Sequence, residues 1–160
     1  MNNNEIKEFF NFERKKHFDF FLPYYRERNW QVIKDNIDGN SPISWDVKLE
    51  IFAGEYVLVD EKARIGEFND CLIELIQDLE TGKLGWYFGR KDWVLYGSWK
   101  NLNDKIPSSL YLIEMRKLHN YIESLNGFIK TLISKKGWGD TWNIVISWEE
   151  LQKRNIAKII

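Results

Sequence analysis

The chain has 160 residues, 16% of them aromatic with eight Trp, and 23 Lys and Arg against 24 Asp and Glu. That length supports one domain over residues 1–160 with a sizeable core, and the formal charge of −1 excludes a uniformly basic nucleic-acid-binding surface while leaving room for a local one. A single Cys rules out an internal disulfide, two His with one Cys make no zinc pattern, and no apolar run reaches the length of a membrane span, so a soluble cytoplasmic protein is expected.

From about Asn3 to Arg28 the pattern is helical, with MNNNEIKEFF too polar at its start for a signal peptide. Ile6, Phe9, Phe10, Phe20, Phe21 and Tyr24 share one face, and Glu13 and His17 fall inside that apolar stripe. A carboxylate there needs a partner, because burying it alone is costly. His17, one turn on, is the nearest one. Pro23 lacks a ladder donor and is expected to kink or split the helix. WQVIK reads as a short strand and DNIDGNSP as a turn-rich connection.

WDVKLEIF and YVLVDEKA come next, separated by Ala53, Gly54 and Glu55, and read as a β-hairpin. Side chains alternate across a strand, so matching the apolar odd positions Val47, Leu49, Ile51, Val57 and Val59 requires an odd loop. A three-residue loop places Asp46 opposite Lys62 and diagonal to Asp60, with both carboxylates and the ammonium on the even face. Such a set suits a hard divalent cation, which takes one or two carboxylates and completes its shell with water and phosphate. The same spacing equally suits cross-strand salt bridging on a solvated face, worth under about 1 kcal/mol per exposed pair.

Further strands are expected at CLIELIQ, LGWYFG and WVLYGSW, with turns at LETGK and GRKD. SLYLIEMRKLHNYIESL reads as a second amphipathic helix continuing through GFIKTLIS, TWNIVISW as a last strand and WEELQKRN as a final helical turn or two. Lys135 and Lys136 beside Gly137-Trp138-Gly139 read as a solvated loop, with a phosphate contact as the alternative. Cys71 reads as a small buried strand residue, and Asp92 as a cap before WVLYGSW. Helix, antiparallel strands and helix indicate an α/β or α+β fold.

The order Asp46, then Asp60-x-Lys62 on the next strand, resembles the PD-(D/E)XK nuclease superfamily, the restriction-endonuclease-like fold. Trp45 stands where that family often carries Pro. VDEKA, CLIEL with Glu74, and GKLGWYF…DWVLYGSW with Gly85, Trp86, Asp92 and Tyr96 are similar to small phage-associated members, so the likeness spans Trp45 to about Trp99. The resemblance implies a central mixed sheet with a β-hairpin core flanked by helices. It implies Mg²⁺ or Mn²⁺ held by Asp46, Asp60 and the backbone carbonyl of Glu61, with Lys62 assisting the nucleophile or the transition state. Glu13 matches an acidic residue that many members supply from the first helix, and Glu74 an outer carboxylate. The implied activity is hydrolysis of DNA phosphodiester bonds, in a family whose members often act as homodimers. The alternative is a non-catalytic binding or assembly module of a phage or mobile element that keeps the same charges as structure.

Overall fold

The computed structural model describes residues 11–36, 45–136 and 139–160. Ile6, Phe9, Phe10 and most of DNIDGNSP lie outside the described residues.

Residues 11–27 form the first helix, α1, with a π-helical turn at His17–Phe21 closed by Leu22 N–H donating to the His17 carbonyl. Its last stretch, Leu22–Glu27, takes Pro23 in its first turn, where the missing N–H costs least. The expected kink is therefore a widened turn just upstream of Pro23. An extra residue in a turn rotates the downstream residues by roughly 100° about the helix axis. This explains why Phe12, Lys16, His17, Phe21, Tyr24 and Tyr25 are the buried positions, while Phe20 is only half-buried.

Among the described residues ten strands form the sheets: β1 (Gln31–Asp35), β2 (Val47–Phe52), β3 (Glu55–Ile65), β4 (Asp70–Asp78), β5 (Lys83–Leu84), β6 (Trp93–Trp99), β7 (Ser109–Glu114), β8 (Thr131–Lys136), β9 (Gly139–Ser147) and β10 (Ala157–Ile159). They make a six-stranded sheet in the order β1-β2-β3-β6-β7-β10 and a four-stranded sheet in the order β5-β4-β9-β8. β3 and β6 are parallel, with Lys62 in register with Tyr96, and all other pairs are antiparallel. The architecture is thus α+β with a mixed central sheet, as expected.

The second sheet takes a place where the expectation had helices. β6 is apolar on both faces because it lies between two cores. Leu95 and Trp99 pack toward α1 with Val47, Leu49, Val59 and Phe21. Val94 and Tyr96 pack toward Cys71, Ile73, Ile144 and Ile146 of the second sheet. Cys71 is the buried strand residue expected of it.

Three elements differ from expectation. The run SLYLIE is β7, and the helix α2 begins only at Met115 and ends at Ser124. A short, continuous apolar run fits a buried strand as well as a helix, and pairing with β6 and β10 decides it here. Asn126 and Gly127, both at positive φ, end α2, and the segment expected to continue it becomes β8. β8 includes Lys135 and Lys136, so this backbone is strand and not loop; Gly137 and Trp138 lie outside the described residues. LGWYFG divides into the end of β5 and a 3₁₀ turn at Trp86–Phe88. Trp148 leaves β9, which β10 follows as the last strand, to open α3 (Trp148–Lys153), where the Ser147 side chain accepts from Glu150 N–H at 3.2 Å. Among the described residues no helix is long and apolar enough to cross a membrane.

Candidate metal centre on the β2–β3 hairpin

The hairpin turns through Ala53 and Gly54, the latter at φ +81°, and pairs Phe52 with Glu55. A two-residue turn alone would put odd positions opposite even ones. A one-residue irregularity between Glu50 and Phe52 restores the parity, so Glu50 meets Tyr56, Leu49 meets Val57 and Val47 meets Val59. The apolar faces match as expected, but the register is two residues shorter than a three-residue loop gives. Asp46 therefore stands beside Asp60 and not opposite Lys62, with Asp46 N–H donating to the Val59 carbonyl at 2.9 Å.

Four charged groups meet on this even face. Asp46 Oδ2 accepts from Glu61 N–H at 2.7 Å. Asp60 Oδ1 accepts from Lys62 Nζ at 2.8 Å, and Asp60 Oδ2 from Lys91 Nζ at 2.6 Å. Lys91 also donates to the Trp86 carbonyl at 2.6 Å. The Lys91 side chain is 1% exposed and that of Lys62 27%, so Lys91 is an internal anchor and Lys62 the ammonium that reaches the surface.

The electrostatics arise from this packing. Burial, then the neighbouring Asp60 charge, pushes the Asp46 carboxyl up to about 8. Burial opposes the charge of Asp60 too, but the Lys62 and Lys91 ammoniums outweigh it and hold Asp60 below the usual carboxylate range. Burial likewise opposes the charge of Lys62, and Asp60, Asp46 and Glu13 overcome it, raising Lys62 above the ordinary lysine value. Lys62 is thus a firm cation, suited to stabilising negative charge and not to accepting a proton. The charge of Glu13, half-buried on α1, contributes to this field at Lys62.

The opposite face of β3 carries a second network. Glu61 Oε2 meets His17 Nδ1 at 2.7 Å, and Glu61 Oε1 accepts from Tyr25 Oη at 2.7 Å. His17 Nε2 meets Asp35 Oδ2 at 2.9 Å. Both ring nitrogens of His17 are engaged by Glu61 and Asp35, which corrects the pairing with Glu13. The Glu61 side chain points toward α1, away from Asp60, as alternation demands, while its backbone N–H still serves Asp46.

Glu74 sits on β4 of the second sheet, in register with Asn143, and Gly85 packs on its backbone. Asp92 precedes β6 but ties it to β3 instead of capping its own segment: its Oδ2 accepts from Leu58 N–H at 2.8 Å. Lys91 escapes a reading of the sequence, because GRKD carries the ordinary signature of a turn. Among the described residues no group of three or more His, Cys, Asp or Glu side chains is arranged to hold a metal ion.

No protein-family model, curated protein or solved structure matches this chain.

Proposed function

We propose that the chain is a divalent-metal-dependent nuclease that hydrolyses DNA phosphodiester bonds, using Asp46, Asp60 and Lys62 on the even face of the β2–β3 hairpin. The donor chemistry fits Mg²⁺ or Mn²⁺. Asp46, raised to about 8 by burial and by the Asp60 charge, lies against a second carboxylate that two lysines hold below the usual range, and a pair of adjacent carboxyl groups is a hard-oxygen donor set. Asp46 and Asp60 Oδ1 would hold the ion, with the partly exposed Lys62 ammonium giving way at Oδ1, since Asp60 Oδ2 is committed to the buried Lys91. A bound ion of this kind lowers the pKa of water and neutralises charge on a phosphodiester.

The chain's own groups supply the rest. Lys62, firmly protonated and partly exposed, offsets negative charge building on the phosphate. Lys91 keeps the Asp60 carboxylate in one orientation, and Glu61 N–H does the same for Asp46. The observation that carries the reading is this meeting of two acids and one surface-reaching ammonium on a single sheet face.

Divalent-dependent cleavage of duplex and single-stranded DNA by the wild type tests it, with Asp60→Ala and Lys62→Ala each expected to lower the rate by 100-fold or more, as about 3 kcal/mol of lost stabilisation implies. Unchanged cleavage in both variants would sink the assignment. One observation favours a second reading, a non-catalytic binding or assembly module. Both oxygens of Asp60 are already satisfied by lysines, so the cluster is neutralised without an ion. Calorimetry with Mg²⁺ and Mn²⁺ separates the two: heat of binding that disappears in Asp46→Asn supports the nuclease, and none in the wild type supports the module.

A further inference from the structure

The sheet face that carries Asp46 and Asp60 also carries two lysines in an unfavourable arrangement. Lys34 on β1 is the register partner of Lys48 on β2, so both side chains leave the same side of the sheet. Lys48 is in register with Leu58, two residues before Asp60, and is itself two residues beyond Asp46. At the strand rise, two residues correspond to roughly 7 Å. Like charges directly opposite in a sheet repel. Among the described residues neither lysine has a carboxylate partner; each lies over a ring instead. Lys34 Nζ is 5.8 Å from the centre of Trp45, and Lys48 Nζ is 4.4 Å from the centre of Tyr56. Lys34 is exposed and Lys48 half-buried, so both ammoniums are within reach of a ligand.

We propose that Lys34 and Lys48 form a phosphate-backbone subsite, which holds a phosphate of a nucleic-acid strand next to the one presented to Asp46 and Asp60. The identity of the anion as nucleic acid rests on the nuclease reading; the presence of an anion site rests on the lysines themselves. Along the strands the face then runs from a lysine pair, through the two acids, to Lys62. That order suits a polyanion better than a single small anion, because cations flank the acids on both sides. Lysine ammoniums act on phosphate as point charges and need no fixed fork. The rings of Trp45 and Tyr56 hold them without neutralising them. With a whole-chain charge of −1, affinity for a nucleic acid must come from a local feature of this type.

The test is a salt titration of binding, read by fluorescence anisotropy on a labelled duplex and a labelled single strand, with the full chain and no divalent ion. The double variant Lys34→Gln, Lys48→Gln is expected to bind about tenfold more weakly and to lower the slope of log affinity against log salt by about 1 to 2. Lys34→Arg with Lys48→Arg is expected to retain both. Removing a like-charge pair leaves the melting temperature equal or higher, so loss of folding does not mimic the result. An affinity and slope unchanged in the Gln variant overturn the subsite. A wild type that binds in this lysine-dependent way and cuts nothing keeps the subsite and removes the nuclease reading. Cleavage whose KM is indifferent to both lysines does the reverse.

Discussion

His17 and Lys91 are two buried residues whose partners set measurable properties. Burial disfavours charge on His17, but the hydrogen bonds and charges of Glu61 and Asp35 outweigh it and raise the imidazole to about 9. The unfolded value is about 6.5. A raised folded-state pKa contributes stability that is fully present below the unfolded pKa and is lost as pH rises through the folded one. The His17 contribution, at most about 3 kcal/mol, is therefore complete below pH ~6.5 and gone above pH ~9. Asp46, raised to about 8, drifts the same way over the lower part of that window. The melting temperature is expected to fall between pH ~6.5 and ~9.5, and less steeply in His17→Gln; an identical slope in the variant would refute the assignment. Lys91→Met removes the cation from a buried pair and strands Asp60 Oδ2 and the Trp86 carbonyl. It is expected to cost about 3 kcal/mol in urea unfolding. Adding Asp60→Asn should restore part of that loss, and additive losses would show that the two are not coupled.

The hairpin shows how much of a single element is readable locally. Parity is a consequence of alternation alone, and Asp46, Asp60 and Lys62 share a face in the structure as their spacing along the chain predicts. Register is not, because the shift between Glu50 and Phe52 is a choice made by the folded ladder and no residue type announces it. Two glycines distinguish the kinds of constraint an element carries. Gly54 sits at φ +81°, and a Cβ added there would meet nothing within 4 Å, so Gly54→Ala faces only backbone strain, about 1 kcal/mol. A Cβ on Gly85 would lie 2.2 Å from the Glu74 carbonyl oxygen, which is backbone and cannot swing away. Gly85→Ala must displace the 3₁₀ turn whose Trp86 carbonyl holds Lys91, at about 2 kcal/mol or more. Urea denaturation of the two variants should rank Gly85→Ala as the more damaging, and the opposite order would contradict this packing.

At the scale of the molecule, β3 and β6 form the wall between two cores. Leu49 belongs to the core under α1 and Ile73 to the core between the sheets, both at 0% exposure. Because the wall is shared, neither core unfolds without the other losing its support. Leu49→Ala and Ile73→Ala are each expected to remove about 2 to 5 kcal/mol. Each should shift one transition, coincident by tryptophan fluorescence and circular dichroism. Two separated transitions in either variant would show that the layers are independent.

Local alternation and helical spacing were sufficient for the first helix over residues 11–27, the existence of the hairpin, the strands at Cys71 and Trp93, the last helix, and the common face of Asp46, Asp60 and Lys62. Only the tertiary structure decided that SLYLIE is a strand, that a second sheet covers one face, that Glu61 turns to His17 and Tyr25, and that Lys91 reaches Asp60 across 31 residues of chain. The physical reason is common to all four. Periodicity reports which face of a segment is apolar, whereas strand partners, register and buried ion pairs arise between segments far apart in sequence, where no local pattern records the encounter.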